Sequence, residues 1–219
     1  MLPDNFYHIY NRTNGKEKLF LVADNYYYFL RQLKKYISPI ADFYAYCLIL
    51  NHFHFVIKIK SEEELELFFE EKLKNRNENL SKGFEPSNEQ DLQGFQNLGG
   101  LISQQFSNFF NSYSKAFNKM HNRKGSLFAP NFKKKLITDK TYLQQVILYV
   151  HLNPVKHQLS LDFSDYPYSS YESILSEQPT LIKRKEVLSL FDDEDNFKFV
   201  HHEQKVKTAL IAEIIKEDN

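Results

Sequence analysis

Two hydrophobic periods alternate along the chain, and each change of period marks an element. Residues 6–11 alternate aromatic and polar positions as a first strand does, and residues 12–15 supply turn chemistry. Asp24 is placed to cap a helix that runs to about Ile37, where Ser38 and Pro39 stop it. Residues 43–50 and 52–60 are rich in aromatic and branched side chains, with a turn near Asn51, and are expected to pair as neighbouring strands. A helix follows over 63 to about 74, with Leu65, Leu67, Phe68 and Phe69 on its apolar side. Residues 75–98 are then dominated by Asn, Gln, Ser and Gly and read as a long mobile loop.

From 101 to about 120, apolar residues fall at 102, 106, 109, 110, 113, 117 and 120, the spacing of one helix face. Tyr113 lies in that stripe and reads as core. Residues 125–138 look extended and offer a further strand. The next helix is expected to begin near Asp139 or Thr141 and to end by Asn153, because Pro154 turns the residue before it away from helical geometry. Residues 165–171 are aromatic and turn-rich, and the rest reads as a helical tail of mixed charge. This order predicts an α+β fold, a mainly antiparallel sheet with covering helices, followed by a C-terminal helical extension. The expected division is a main domain over 1–172, interrupted by a polar insertion at about 75–98, and a tail over 173–219.

Composition narrows this picture only in places. With 219 residues and 42% hydrophobic content the chain can bury a substantial core. Twenty-eight basic side chains balance 28 acidic ones, so net charge names no partner. The distribution of charge says more. Between Leu92 and Thr138 there is no Asp or Glu, whereas Lys115, Lys119, Arg123, Lys124, Lys133, Lys134 and Lys135 all fall there. Such a run is either a solvated lysine face or a surface for a polyanion. A lone Cys47 in an apolar run excludes an intrachain disulfide and suits a reducing interior. No apolar run approaches the length of a membrane span, and the N-terminus lacks a secretory pattern, so a cytoplasmic location is expected. The absence of a glycine-rich phosphate loop argues against a nucleoside-triphosphate enzyme.

Two places carry candidate chemistry. His52 and His54 are one residue apart in a strand-like run, so both imidazoles project to one face and Phe53 and Phe55 to the other. That is a metal clamp, or two histidines satisfied by carbonyls, water or solvent. In the helix before Pro154, Tyr142, Val146, Tyr149 and Asn153 recur at four, three and four and share a face. A phenol and an amide oxygen one turn apart would reach one pocket if this face meets the histidine strand. Gln145 competes with Asn153 for the amide role, and Tyr149 taken alone is also an ordinary packed tyrosine.

Several short runs then form an order. Tyr7-His8-Ile9-Tyr10-Asn11-Arg12, Asn51-His52-Phe53-His54-Phe55, Gly125-Ser126-Leu127-Phe128 with Phe132-Lys133, Tyr149-Val150-His151-Leu152-Asn153-Pro154-Val155, and Asp165-Tyr166-Pro167-Tyr168-Ser169-Ser170-Tyr171 together resemble the single-tyrosine HUH transposases, above all the REP-associated tyrosine transposase branch. The resemblance spans residues 6–171. It implies a ferredoxin-like catalytic domain that cuts single-stranded DNA beside a hairpin, with a divalent metal on the paired histidines and a helix-borne tyrosine as nucleophile. By position, His52 and His54 match the histidine pair, Tyr149 the nucleophile, and Asn153 the third metal ligand, where relatives often carry Gln.

The implied chemistry is a transesterification. Mg²⁺ or Mn²⁺ on His52, His54 and one oxygen ligand would polarise the scissile phosphate, and Tyr149 would attack in line to give a 5′-phosphotyrosine and a free 3′-hydroxyl that can be rejoined. Imidazole ligands suit Zn²⁺ as well. Arg12 and the basic residues of the acid-free segment would contact the backbone, and exposed members of Phe128, Phe132, Tyr166, Tyr168 and Tyr171 would stack on unpaired bases. The expected partner is single-stranded or hairpin DNA, with a homodimer left open. Two alternatives are a domesticated hairpin-binding module that no longer moves DNA and a phosphodiesterase in which water attacks.

Overall fold

The computed structural model describes residues 1–80 and 98–205. Four antiparallel strands, β1 (Phe6–Arg12), β2 (Ala41–Ile49), β3 (His52–Ile59) and β4 (Lys133–Ile137), lie in the order β2-β3-β1-β4. Helix α1 (Ala23–Tyr36) joins β1 to β2, and α2 (Glu62–Leu80) and α3 (Leu98–Met120) precede β4. With the last strand beside the first, this is the ferredoxin-like α+β arrangement. Helix α4 (Lys140–Lys156) and three shorter helices, α5 (Tyr171–Leu175), α6 (Arg184–Leu190) and α7 (Glu194–Lys205), complete the described chain.

Strand alternation assigns the two faces of the sheet. Phe53 and Phe55 meet Phe29 of α1 with ring centroids at 5.3 and 6.0 Å, and Phe29 meets Phe109 of α3 at 4.9 Å. This aromatic layer buries α1 and α3 on one face, and Tyr113 joins it with its hydroxyl on the Leu19 carbonyl at 2.6 Å. The histidines of β3 face the other way, toward α4, where Tyr149 lies edge-on to His54 at 5.5 Å. The register sets Tyr10 beside His54, Arg12 beside His52 and Lys133 beside Tyr10, so all five share the α4 face.

Three expectations are corrected. Asp24 does not cap α1; Val22 holds the N-cap position, and the Asn25 side chain accepts from the backbone N–H of Leu21 and Val22 at 2.9 and 3.2 Å. Asn25 reaches those donors from inside the first turn. Helix α2 continues through Leu80, into the polar insertion expected at 75–98, and α3 already begins at Leu98. The remainder of that insertion, 81–97, lies outside the described residues, as does the tail from 206 to 219.

The third correction bears on function. Helix α4, capped by Asp139 accepting from the Tyr142 N–H at 2.8 Å, does not stop at Asn153 but runs through Pro154 to Lys156. Proline removes one ladder bond. Bonds on either side of the gap brace the helix: Asn153 Nδ2 donates to the Tyr149 carbonyl at 2.9 Å, and the N–H groups of His157 and Leu159 close the end on the carbonyls of Asn153 and Pro154 at 2.9 and 2.8 Å. Every residue from Val146 to Pro154 is buried, so packing on all sides holds the helix past the proline.

The β2 edge of the sheet is closed. Leu48 N–H donates to Tyr168 O and Ser170 N–H to Tyr46 O, each at 2.9 Å, while Lys183 N–H donates to Phe43 O at 2.8 Å. The chain after α4 thereby pairs with β2 before forming α5 to α7. A buried relay then ties the C-terminal helix to the core. His201 Nδ1 donates to the Phe197 carbonyl at 2.7 Å, so its Nε2 accepts from His151 Nδ1 at 2.9 Å, and His151 Nε2 accepts from the Ser170 hydroxyl at 2.8 Å. Ser170 Oγ in turn accepts the Tyr46 N–H at 2.8 Å.

Candidate functional site

The site lies where the exposed end of β3 meets the last turns of α4. A cavity of about 380 Å³ opens there, lined among others by Tyr10, Arg12, His52, His54, Lys133 and His157. His52 and His54 are the expected pair, and their rings meet edge-on at 5.1 Å. Asn51 Oδ1 accepts from His52 Nδ1 at 2.7 Å, which leaves Nε2 as the lone-pair nitrogen of that neutral ring. His54 Nδ1 is bonded to Nε2 of His8 at 3.0 Å.

The imidazoles are held neutral, the form that ligates metals. Burial pushes His52 down to about 3, reinforced by the nearby charges of His157, Lys156 and Arg12. Burial also holds His54 well below its ordinary value, with His52 and His8 adding to the effect. His8 is lowered to about 3 by burial and then by Lys135, and His157 is lowered by burial and then by Lys156.

Helix α4 brings Tyr149 beside this pair. Its ring stands edge-on to His54 at 5.5 Å and to His8 at 6.0 Å. Tyr149 is 1% exposed and is not part of the cavity wall. Lys156 covers it, with Nζ at 3.5 Å from the phenolic oxygen and 5.0 Å from the ring centroid. One turn on, Asn153 is fully buried, and a further turn on, His157 contacts His52 at 4.7 Å. Tyr149, Asn153 and His157 thus follow one another at intervals of four along the site face. Gln145, the competing amide, is half-buried a turn before Tyr149.

Two imidazoles and an amide oxygen make a reasonable donor set for a divalent cation, and one orphan supports it. Asn153 Oδ1 is buried with no hydrogen-bond partner, while its Nδ2 is spent on the Tyr149 carbonyl. A buried acceptor left unmade is costly and points to an absent partner. Among the described residues no group of three or more His, Cys, Asp or Glu side chains could hold a metal ion, so a third ligand here would be of another kind, such as the amide oxygen of Asn153.

The basic residues divide. Arg12 and Lys133 line the histidine cavity, and Lys135 follows on the same face. Lys115 lines an adjoining polar groove that shares Asn11 and the 129–131 loop with that cavity. Lys119 and Lys124 are exposed and line neither, and Lys134 alternates to the opposite face of β4. Arg123 is already engaged, paired with Glu17 and donating to the carbonyls of Gly125 and Ser126 at 3.1 and 2.7 Å. Of the aromatics considered for stacking, Tyr171 and Phe128 are buried, and Tyr168 stacks on Tyr26 at 3.5 Å.

Sequence reasoning missed His8, Lys156 and His157. The last two were hidden by ending the helix at Asn153; carrying the interval of four through Pro154 would have found His157. His8 could have been found by the alternation that sets it, Tyr10 and Arg12 on one face of β1.

No protein-family model and no curated protein matches the chain. A solved structure of a REP-associated tyrosine transposase bound to a REP hairpin is similar in fold, with a TM-score of 0.52 and 15% sequence identity over 81% of this chain and 84% of that one. No helix among the described residues is long and apolar enough to cross a membrane.

Proposed function

We propose that this chain is a single-stranded DNA transesterase of the tyrosine transposase type, which cuts beside a DNA hairpin and can rejoin the strands. The observation that carries the reading is Tyr149 lying edge-on to His54 at 5.5 Å, in a fold like that of the REP-associated transposase. His52, His54 and Asn153 would hold Mg²⁺ or Mn²⁺, which supplies Lewis-acid stabilisation of the charge gathering on the phosphate. Arg12 and Lys133, on the cavity wall, orient the phosphate backbone. Tyr149 Oη forms the bond to phosphorus as the 3′ oxygen leaves, giving a 5′-phosphotyrosine that conserves the bond energy for rejoining. Lys156, at 3.5 Å from that oxygen, favours loss of the phenolic proton.

The burial of Tyr149 favours one second reading, a hairpin-binding module that keeps the fold without the chemistry. A single experiment separates them: end-labelled hairpin oligonucleotides from the flanks of the gene are incubated with the full chain and Mn²⁺ or Mg²⁺, and denaturing gels are read for a protein–DNA adduct. The expected outcome is an adduct in the wild type that Tyr149→Phe abolishes without loss of binding. Binding with no cleavage would establish the module, and cleavage with no adduct would make water the nucleophile.

A further inference from the structure

His8 belongs to neither the cavity wall nor the expected ligand set, yet it makes a buried contact with His54, which belongs to both. His8 is fully buried and His54 is 1% exposed, and their nitrogens meet at 3.0 Å. The ring centroids are 5.2 Å apart with planes within 20° of each other, the arrangement of two imidazoles meeting nitrogen to nitrogen in nearly shared planes. The bond is therefore well aligned. It runs diagonally across the sheet, since His8 pairs with Val56 and Tyr10 with His54. Its geometry excludes both rings as joint ligands of one cation, because the two facing nitrogens are pointed at each other.

A neutral pair can share one proton across this bond in two ways. Either His54 Nδ1–H donates to His8 Nε2, or His8 Nε2–H donates to His54 Nδ1. Only the first leaves the lone pair of His54 on Nε2, the nitrogen a cation must meet once Nδ1 is taken. The first arrangement also places the second proton of His8 on Nδ1, which is buried with no hydrogen-bond partner. Burying an unsatisfied donor opposes folding, and nothing in packing calls for a histidine there. We infer that His8 is a positioning residue for His54, accepting its Nδ1 proton so that the ring is fixed in the tautomer and orientation that lets Nε2 bind a divalent cation. Ligating histidines ordinarily donate their second N–H to a carboxylate or a backbone carbonyl; here a second imidazole serves. The inference rests on the proposed role of His54.

The test measures Mn²⁺ binding to the full chain without DNA, by the electron paramagnetic resonance signal of free Mn²⁺. His8→Leu removes the acceptor and is expected to weaken binding by about 10–100-fold. His8→Gln, whose amide oxygen can take the same proton, is expected to recover most of that loss. Equal weakening in both variants, or none in a folded His8→Leu, would overturn the inference. His54→Ala tests the underlying reading separately: unchanged affinity there would mean that His54 holds no cation. Should His8→Leu fail to fold, ring-nitrogen NMR of the wild type decides, because a saturating diamagnetic cation, Mg²⁺ or Zn²⁺, must leave His54 protonated on Nδ1. A proton found instead on His8 Nε2 would refute the assignment.

Discussion

At the scale of single residues, the site joins groups that make little sense as packing alone. Lys156 sits over Tyr149 with Nζ 3.5 Å from the phenolic oxygen, and burial lowers the lysine from its usual value. An ammonium beside a phenol favours the ionised, nucleophilic form. Replacing it as Lys156→Met should slow adduct formation by about 100-fold at neutral pH, with Lys156→Arg retaining most of the rate, in single-turnover assays. Equal rates in all three would make Lys156 a mere cover. Asn153 offers a different diagnostic. Its Oδ1 is orphaned and its Nδ2 makes one bond, so Asn153→Ala should change stability by no more than about 1 kcal/mol while sharply weakening Mn²⁺ binding. A large stability loss with unchanged Mn²⁺ affinity would instead make Asn153 a structural brace of the helix beside Pro154.

At the scale of elements, alternation and edge chemistry decide which charges act together. β4 is the other edge of the sheet, with no strand paired on its outer side among the described residues, and Lys133 and Lys135 share the histidine face while Lys134 does not. Lysines on an open edge also discourage pairing with another strand. The salt dependence of binding to a single-stranded oligonucleotide should therefore fall by about 0.7 in log–log slope for each of Lys133→Gln and Lys135→Gln. Lys119→Gln and Lys124→Gln, which do not line the cavity, should leave the slope nearly unchanged. If all four behaved alike, binding would be a diffuse attraction to the acid-free segment. Sequence could supply that segment, but one residue of register determines which lysines lie over the site.

At the scale of the whole molecule, buried neutral histidines couple α7 to α4 and to the β2 edge of the sheet. The relay from Phe197 through His201 and His151 to Ser170 works only while both rings are uncharged. Burial lowers His151 well below its ordinary value and His201 to about 3, as it does His8. Since the unfolded chain binds protons near the ordinary histidine value of about 6.5 and the native state does not, stability should fall as pH drops through 6.5 toward 3. Each such group adds a slope of up to about 1.4 kcal/mol per pH unit. Urea midpoints should thus decline steadily between pH 7 and pH 4.5, and a His151→Phe, His201→Leu double variant, if folded, should show a shallower decline. A pH-independent midpoint would mean that these histidines are protonated as readily in the fold as out of it.

Periodicity and residue type alone determined the α+β class, the pairing of β2 with β3, the common face of His52 and His54, and the shared face of Tyr149 and Asn153. These are local consequences of a two-residue or a 3.6-residue repeat. The sequence could not decide where α4 ends, because Pro154 is a local stop signal overruled by burial of every residue from Val146 to Pro154. Nor could it bring His8 against His54 or Lys156 over Tyr149, since those meetings depend on the β1–β3 register and on the layer α4 forms across the sheet. Proximity across elements is a property of packing, and no single element's pattern encodes it.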